Sequence, residues 1–163
     1  MVLIGAVFAF LQPAPSHASL TIEIRSSTPV YDDPAAFEFS VIVQNRGSFS
    51  LVVLPHALRR VYAAVGSGSA EYSPYPGPPM PPWRGAFSLQ PGQTQTLTFV
   101  GMRDGDGLWN LQAGRYALHV VLSVSSDVAK SAEEHVAHFG AAIWQGDYQS
   151  SVILVTYAPI PAA

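Results

Sequence analysis

The sequence of 163 residues has no cysteine, a single lysine (Lys130) and only 12% charged residues. Without cysteine there is no disulfide framework, no thiol chemistry, no iron–sulfur cluster and no cysteine zinc site, so the core must hold by packing. Charge is sparse and nearly balanced, at −3 with histidine neutral. No basic field is available to hold a nucleic-acid backbone or an anionic membrane, and nucleic acid is not an expected partner. No phosphate-binding loop, dinucleotide fingerprint or Gly-x-Ser-x-Gly elbow occurs, and the eleven carboxylates are scattered. An Asn-x-Ser/Thr sequon is also lacking.

What is present begins with an apolar run, Met1 to Leu11, followed by Gln12-Pro13-Ala14-Pro15 and the small-x-small ending Ser16-His17-Ala18. The run is shorter than the ~20 residues of a membrane span. It reads as a signal peptide over residues 1–18, although no Lys or Arg precedes it. Residues 19–163 would then form one exported, extracytoplasmic domain, periplasmic or secreted, with no integral span after cleavage. The length suits one core.

Residues 19–163 read as β throughout. Leu20, Ile22 and Ile24 make one apolar row, and Phe37, Phe39, Val41 and Val43 a second. Asn45-Arg46-Gly47 reads as a hairpin turn into a strand over Phe49 to Leu54. Leu58 to Val65 reads as a strand, and Gln90-Pro91-Gly92-Gln93 as a turn into Thr94 to Val100. Arg115 to Ser125 sets Tyr116, Leu118, Val120, Leu122 and Val124 on one face, as a central strand does, and Ser151 to Tyr157 ends the series. Asp127 to His138 is the one candidate helix, with Ser131-x-x-Glu134 as its capping box. Seven or eight strands without long intervening helices predict an all-β fold, an antiparallel sandwich of immunoglobulin-like type.

Three motifs carry a resemblance: Asn45-x-Gly47, then Leu89-Gln90-Pro91-Gly92-Gln93-Thr94 leading to Leu97-Thr98-Phe99, then Leu111-x-x-Gly114-x-Tyr116-x-Leu118-x-Val120. Together, over Phe37 to Val124, they resemble bacterial immunoglobulin-like domains and, among these, the intracellular proteinase inhibitor family. The resemblance implies a β-sandwich, a tyrosine corner at Tyr116 and protease inhibition. The name of that family does not suit an exported chain, and the proline-rich stretch is an insertion relative to it.

That stretch, Tyr72 to Gly85, has six prolines among fourteen residues, interleaved with Tyr72, Tyr75, Met80, Trp83 and Arg84. Proline fixes φ and removes amide donors, so the segment predicts a stiff surface loop. Two readings remain open. In one the loop is a pre-ordered protein-binding surface made of Tyr72, Tyr75, Met80, Trp83 and Arg84, residue types common at interface hot spots. In the other its rings form a lid over a sandwich edge.

Chemistry-bearing clusters are few. His135 and His138 beside Glu133 and Glu134 could share a helical face and hold a divalent ion, though no third ligand is evident nearby. Asp104-Gly105-Asp106-Gly107 starts like a calcium loop but lacks its later ligands and reads as a turn. His56 and His119 stand alone, and Trp144 suits either the core or sugar stacking. The expectation is a non-catalytic protein-binding module or accessory subunit, without cofactor and without an assigned metal. A proteinase inhibitor and a His135/His138 metal protein are the alternatives.

Overall fold

The computed structural model describes residues 19–33, 35–64, 69–72, 80–101, 103–104, 107–108 and 112–161, with backbone alone for 62–64, 69–72, 103–104 and 107–108. The expected leader and Tyr75 lie outside the described residues. In chain order the strands are β1 (Leu20–Ser26), β2 (Val30–Tyr31), β3 (Glu38–Asn45), β4 (Leu51–Val53), β5 (Leu58–Ala64), β6 (Ser69–Tyr72) and β7 (Phe87–Leu89). They continue as β8 (Thr94–Val100), β9 (Arg103–Asp104), β10 (Gly107–Leu108) and β11 (Gly114–Val124). After helix α1 (Ser126–Val136) come β12 (Ala142–Ile143), β13 (Gly146–Gln149) and β14 (Ile153–Tyr157). Eight of these segments reach four residues or more, β1, β3, β5, β6, β8, β11, β13 and β14.

The strands build an all-β sandwich. One layer holds β1-β3-β8, antiparallel throughout. The other runs β2-β14-β11-β5-β6, with β13 also on β11. Alternation along β1, β3 and β11 buries every second side chain, so Leu20, Ile22, Ile24, Phe37, Phe39, Val41 and Val43 meet Tyr116, Leu118, Val120, Leu122 and Val124 in one core. The other edge of β11 is occupied too, since β5 pairs on one side and β13 and β14 on the other. β11 is thereby the central strand of its layer, as its sequence predicts.

Asn45 to Gly47 does not make the expected hairpin. The chain bows out and continues in the same direction, because β4 resumes antiparallel pairing with β7 (Leu51↔Leu89) just beyond the β3·β8 ladder (Gln44↔Thr94). Five residues, 46–50, bulge from one side of this break. Asn45 fills the gap: its side-chain amide donates to the carbonyls of Phe49 (2.8 Å) and Leu89 (3.0 Å), and its Oδ1 accepts from the Gly47 amide (2.9 Å). Among the described residues no non-glycine residue has positive φ, and the turn at Gly92 (φ 77°) supplies the left-handed residue instead.

A second break falls between β13 and β14. Pairing shifts by one residue between Val121↔Gln149 and Leu118↔Ile153, which is a β-bulge at Ser150. Ser150 is buried; its amide donates to the Val120 carbonyl (2.9 Å) and its Oγ accepts from the Val120 amide (3.0 Å). The side chain thereby replaces the backbone acceptor that the bulge displaces. At the head of β11 the Tyr116 hydroxyl donates to the Gln112 carbonyl (2.6 Å), the tyrosine corner of immunoglobulin-like sandwiches.

The helix begins one residue earlier than expected, and its cap is Ser125, not Ser131. Ser125 Oγ accepts from the Val128 amide (3.3 Å), whereas Ser131 donates back to the Val128 carbonyl within the helix. Ala129, Ala132 and Val136 form its buried stripe, and a short 3-10 turn ends at Gly140 in the left-handed conformation. Among the described residues no helix is long and apolar enough to cross a membrane.

Candidate functional site

The proline-rich stretch is described from Met80 onward and, as backbone alone, at Tyr72, where β6 pairs with β5 opposite Arg60. Residues 81–86 form consecutive turns: the Arg84 amide donates to Pro81 and the Ala86 amide to Trp83. Gly85 takes φ 67°, which only glycine adopts without strain. These turns deliver Trp83 onto α1, where its ring lies flat on His135, centroids 4.0 Å apart and planes within 3°. Trp83 is half-buried against the core cluster, while Met80 (37% exposed) and Arg84 remain at the surface.

Met80 and Pro82 form one wall of an open cleft of about 390 Å³ whose other lining residues are His56, Ala57, Arg59, Ser123 and Val128. The cleft thus joins the proline-rich turns, the 3-10 turn Pro55–Ala57, the outer face of β5, the end of β11 and the start of α1. Arg59 is set in place by its own backbone, its Nη1 donating to the carbonyls of His56 and Leu58 (2.9 Å each). Burial pushes the His56 imidazole below the ordinary histidine range, and the nearby charges of Arg84 and then Arg59 push it the same way. Among the described residues no carboxylate lines the cleft. It is therefore a mildly basic site with an apolar wall.

Ser123 also borders a second cleft, of about 360 Å³, lined by Val124, Ser125, Ser126, Gln145, Gly146 and Asp147. Its charge is acidic, and Ser123 Oγ donates to Asp147. Ser123 thus separates a basic hollow from an acidic one.

Of the residues expected at the site, Met80, Trp83 and Arg84 lie around the basic cleft, the Tyr72 side chain and Tyr75 fall outside the described residues, and His56 and Arg59 were not foreseen there. The single signal that points to them is the pairing of a basic run, Arg59-Arg60, with a nearby histidine in a chain so poor in charge. Arg60 takes the opposite path from Arg59. It points into the sandwich, is buried, donates from Nη1 to the Gly101 carbonyl (3.1 Å) and sets its guanidinium 5.8 Å from the centre of the Phe39 ring.

His135 and His138 meet different rings, Trp83 and Phe139 (4.1 Å) respectively. Among the described residues no group of three or more histidine, cysteine, aspartate or glutamate side chains is placed to hold a metal ion. Trp144 belongs to the core, 1% exposed. Asp104 and Gly107 are paired backbone positions of the antiparallel strands β9 and β10.

No family model matches the chain, and no curated protein matches it. Among solved structures, a CARDB domain from Pyrococcus furiosus is similar with TM-score 0.41 and 16% identity, over 86% of this chain and 94% of that one. The alkylpurine DNA glycosylase AlkC of Pseudomonas fluorescens gives TM-score 0.44 and 11% identity over 85% of this chain and 30% of its own. A β-glucosidase from Erythrobacter marinus gives 0.42 and 13% over 86% of this chain and 15% of its own. The all-β sandwich itself is established by the strand pairing and the shared core of this chain.

Proposed function

We propose that the chain is an exported, extracytoplasmic and non-catalytic β-sandwich that acts as a protein-binding module or accessory subunit, with the proline-rich loop and the cleft beside it as its contact. One observation carries this reading. Met80 and Pro82 of the loop wall the open cleft whose floor bears His56 and Arg59, and the Trp83–His135 stack holds that wall in place. A pre-set wall reduces the ordering cost of binding. The mix of an apolar wall with the Arg59 guanidinium favours a partner segment that presents a carboxylate beside an apolar side chain.

The test is affinity capture from the native exported fraction with the intact chain, compared with Met80→Ala, Trp83→Ala and Arg59→Gln/Arg84→Gln variants whose folding is checked by circular dichroism. Each variant is expected to weaken capture of a common partner at least ~tenfold, about 1.4 kcal/mol. Equal capture by all of them removes the loop and cleft as the contact. Inhibition of a protease by the intact chain, lost in the same variants, would narrow the partner to a protease, the activity implied by the sequence resemblance.

A further inference from the structure

Strand β8 closes the first layer with an open edge. It pairs with β3 on one side and, among the described residues, with no strand on the other. Two flanking bonds fix which of its backbone groups look outward: the Asn45 amide donates to the Gln93 carbonyl, and the Gly101 amide donates to the Phe37 carbonyl. Alternation along an antiparallel ladder then commits Gln95, Leu97 and Phe99 to β3 and turns the N–H and C=O groups of Thr94, Thr96, Thr98 and Val100 away from it. Those four residues are exposed, Val100 by 64%. Within the single chain the Thr96 carbonyl is met by the Gln95 side-chain amide at 3.3 Å. Edge strands are ordinarily blunted by charge, proline, a bulge or short length. The seven residues of β8 contain no charge and no proline, and their register is unbroken.

We propose that β8 is the seam of a homodimer, pairing antiparallel with β8 of a second copy about a two-fold axis at Leu97. That register sets Thr96 opposite Thr98 of the second copy and Thr94 opposite Val100, each pair closing its outward backbone bonds. Threonine pairs are favourable cross-strand neighbours. Leu97, only half-buried at the edge, meets its own copy at the axis. The strand next inward raises no charge conflict: Glu38 flanks Val100 at one end of β8, and the uncharged Gln44 flanks Thr94 at the other. An uncharged strand gives a charged foreign segment nothing to recognise, whereas it meets itself without repulsion. The seam is small, so association is expected in the micromolar range or weaker.

Sedimentation velocity of the full chain over a concentration series tests this. The wild type is expected to shift from monomer to dimer, and Thr96→Glu/Thr98→Glu, which sets glutamates opposite glutamates on exposed positions, is expected to weaken the dimer at least ~tenfold. Mixing that variant with Thr96→Lys/Thr98→Lys should restore a heterodimer, which a purely folding-related effect would not do. A wild type that stays monomeric up to about 1 mM, a dimer indifferent to the glutamates, or a mixture that fails to associate each overturns the proposal.

Discussion

Asn45 spends its whole side chain inside the protein, with both amide hydrogens and the carbonyl oxygen of the side chain bonded to backbone. Its partners on Phe49 and Leu89 cannot turn to other donors once it is removed, so Asn45→Ala is expected to cost about 3 kcal/mol in urea unfolding, with an unchanged m-value. Gly47 beside it is needed for closeness: a Cβ there would come within 2.9 Å of Ser19 Cβ. His56 gives the second prediction at this scale. The folded chain lowers the proton affinity of its imidazole, through burial first and the charges of Arg84 and Arg59 next. The unfolded chain titrates near the ordinary value of about 6.5 and therefore binds a proton that the folded chain refuses. Stability should fall as pH drops through that value and level off below the depressed folded one, and His56→Gln should flatten this part of the profile. Arg84→Gln should raise the His56 titration observed by NMR, while burial keeps it below the ordinary value; an unmoved titration would show that Arg84 is not the neighbour charge.

At the scale of elements, strands with one buried face were legible in the sequence, because alternation is a direct imprint of burial on one side. β1, β3, β8 and β11 follow that imprint. The two-residue strands β2 and β12 were not legible, since their parallel partners, β14 and β4, lie far off in the chain and leave no local period. Asn45 was misread for the same reason: a residue that tolerates a turn also suits a ladder break, and only the distant carbonyl of Leu89 decides between them. The helix cap erred locally, because Ser125 and Ser131 are both plausible caps and the end of β11 selects the first. The cleft was half legible: the loop announced itself by composition, but the floor from Pro55–Ala57 and β5 required the fold. The bulge at Ser150 yields an element-scale prediction. Ser150→Ala leaves the Val120 amide without its Oγ acceptor in the middle of a buried strand and should cost about 2 kcal/mol. Ser150→Thr retains the hydroxyl and should recover most of that loss; equal loss in both variants, read by chemical denaturation, would mean that the bulge needs the size of serine rather than its oxygen.

At the scale of the whole molecule the two proposed contacts sit on different layers. The cleft belongs to the layer of β5 and β11 with α1, and the open edge belongs to β8 across the core. Tying the layers together is Arg60, rooted on β5 and bonded to the Gly101 carbonyl at the end of β8. Its removal should therefore act on the fold and not selectively on either contact: Arg60→Ala is expected to lose about 3 kcal/mol through the emptied space against Phe39 and the lost bond. The surface contacts should separate from each other and from stability. Contacts that share no residues behave additively. Thr96→Glu/Thr98→Glu should abolish dimerisation while leaving the per-chain affinity for a captured partner within about twofold, and Arg59→Gln/Arg84→Gln should do the reverse. Affinity is to be measured with the chain immobilised and the partner in solution, so that no dimer bridges two sites and inflates it. If the glutamate pair weakens partner binding as strongly as it weakens the dimer under those conditions, the partner itself occupies the β8 edge, and the cleft is then a wall of the fold rather than its contact.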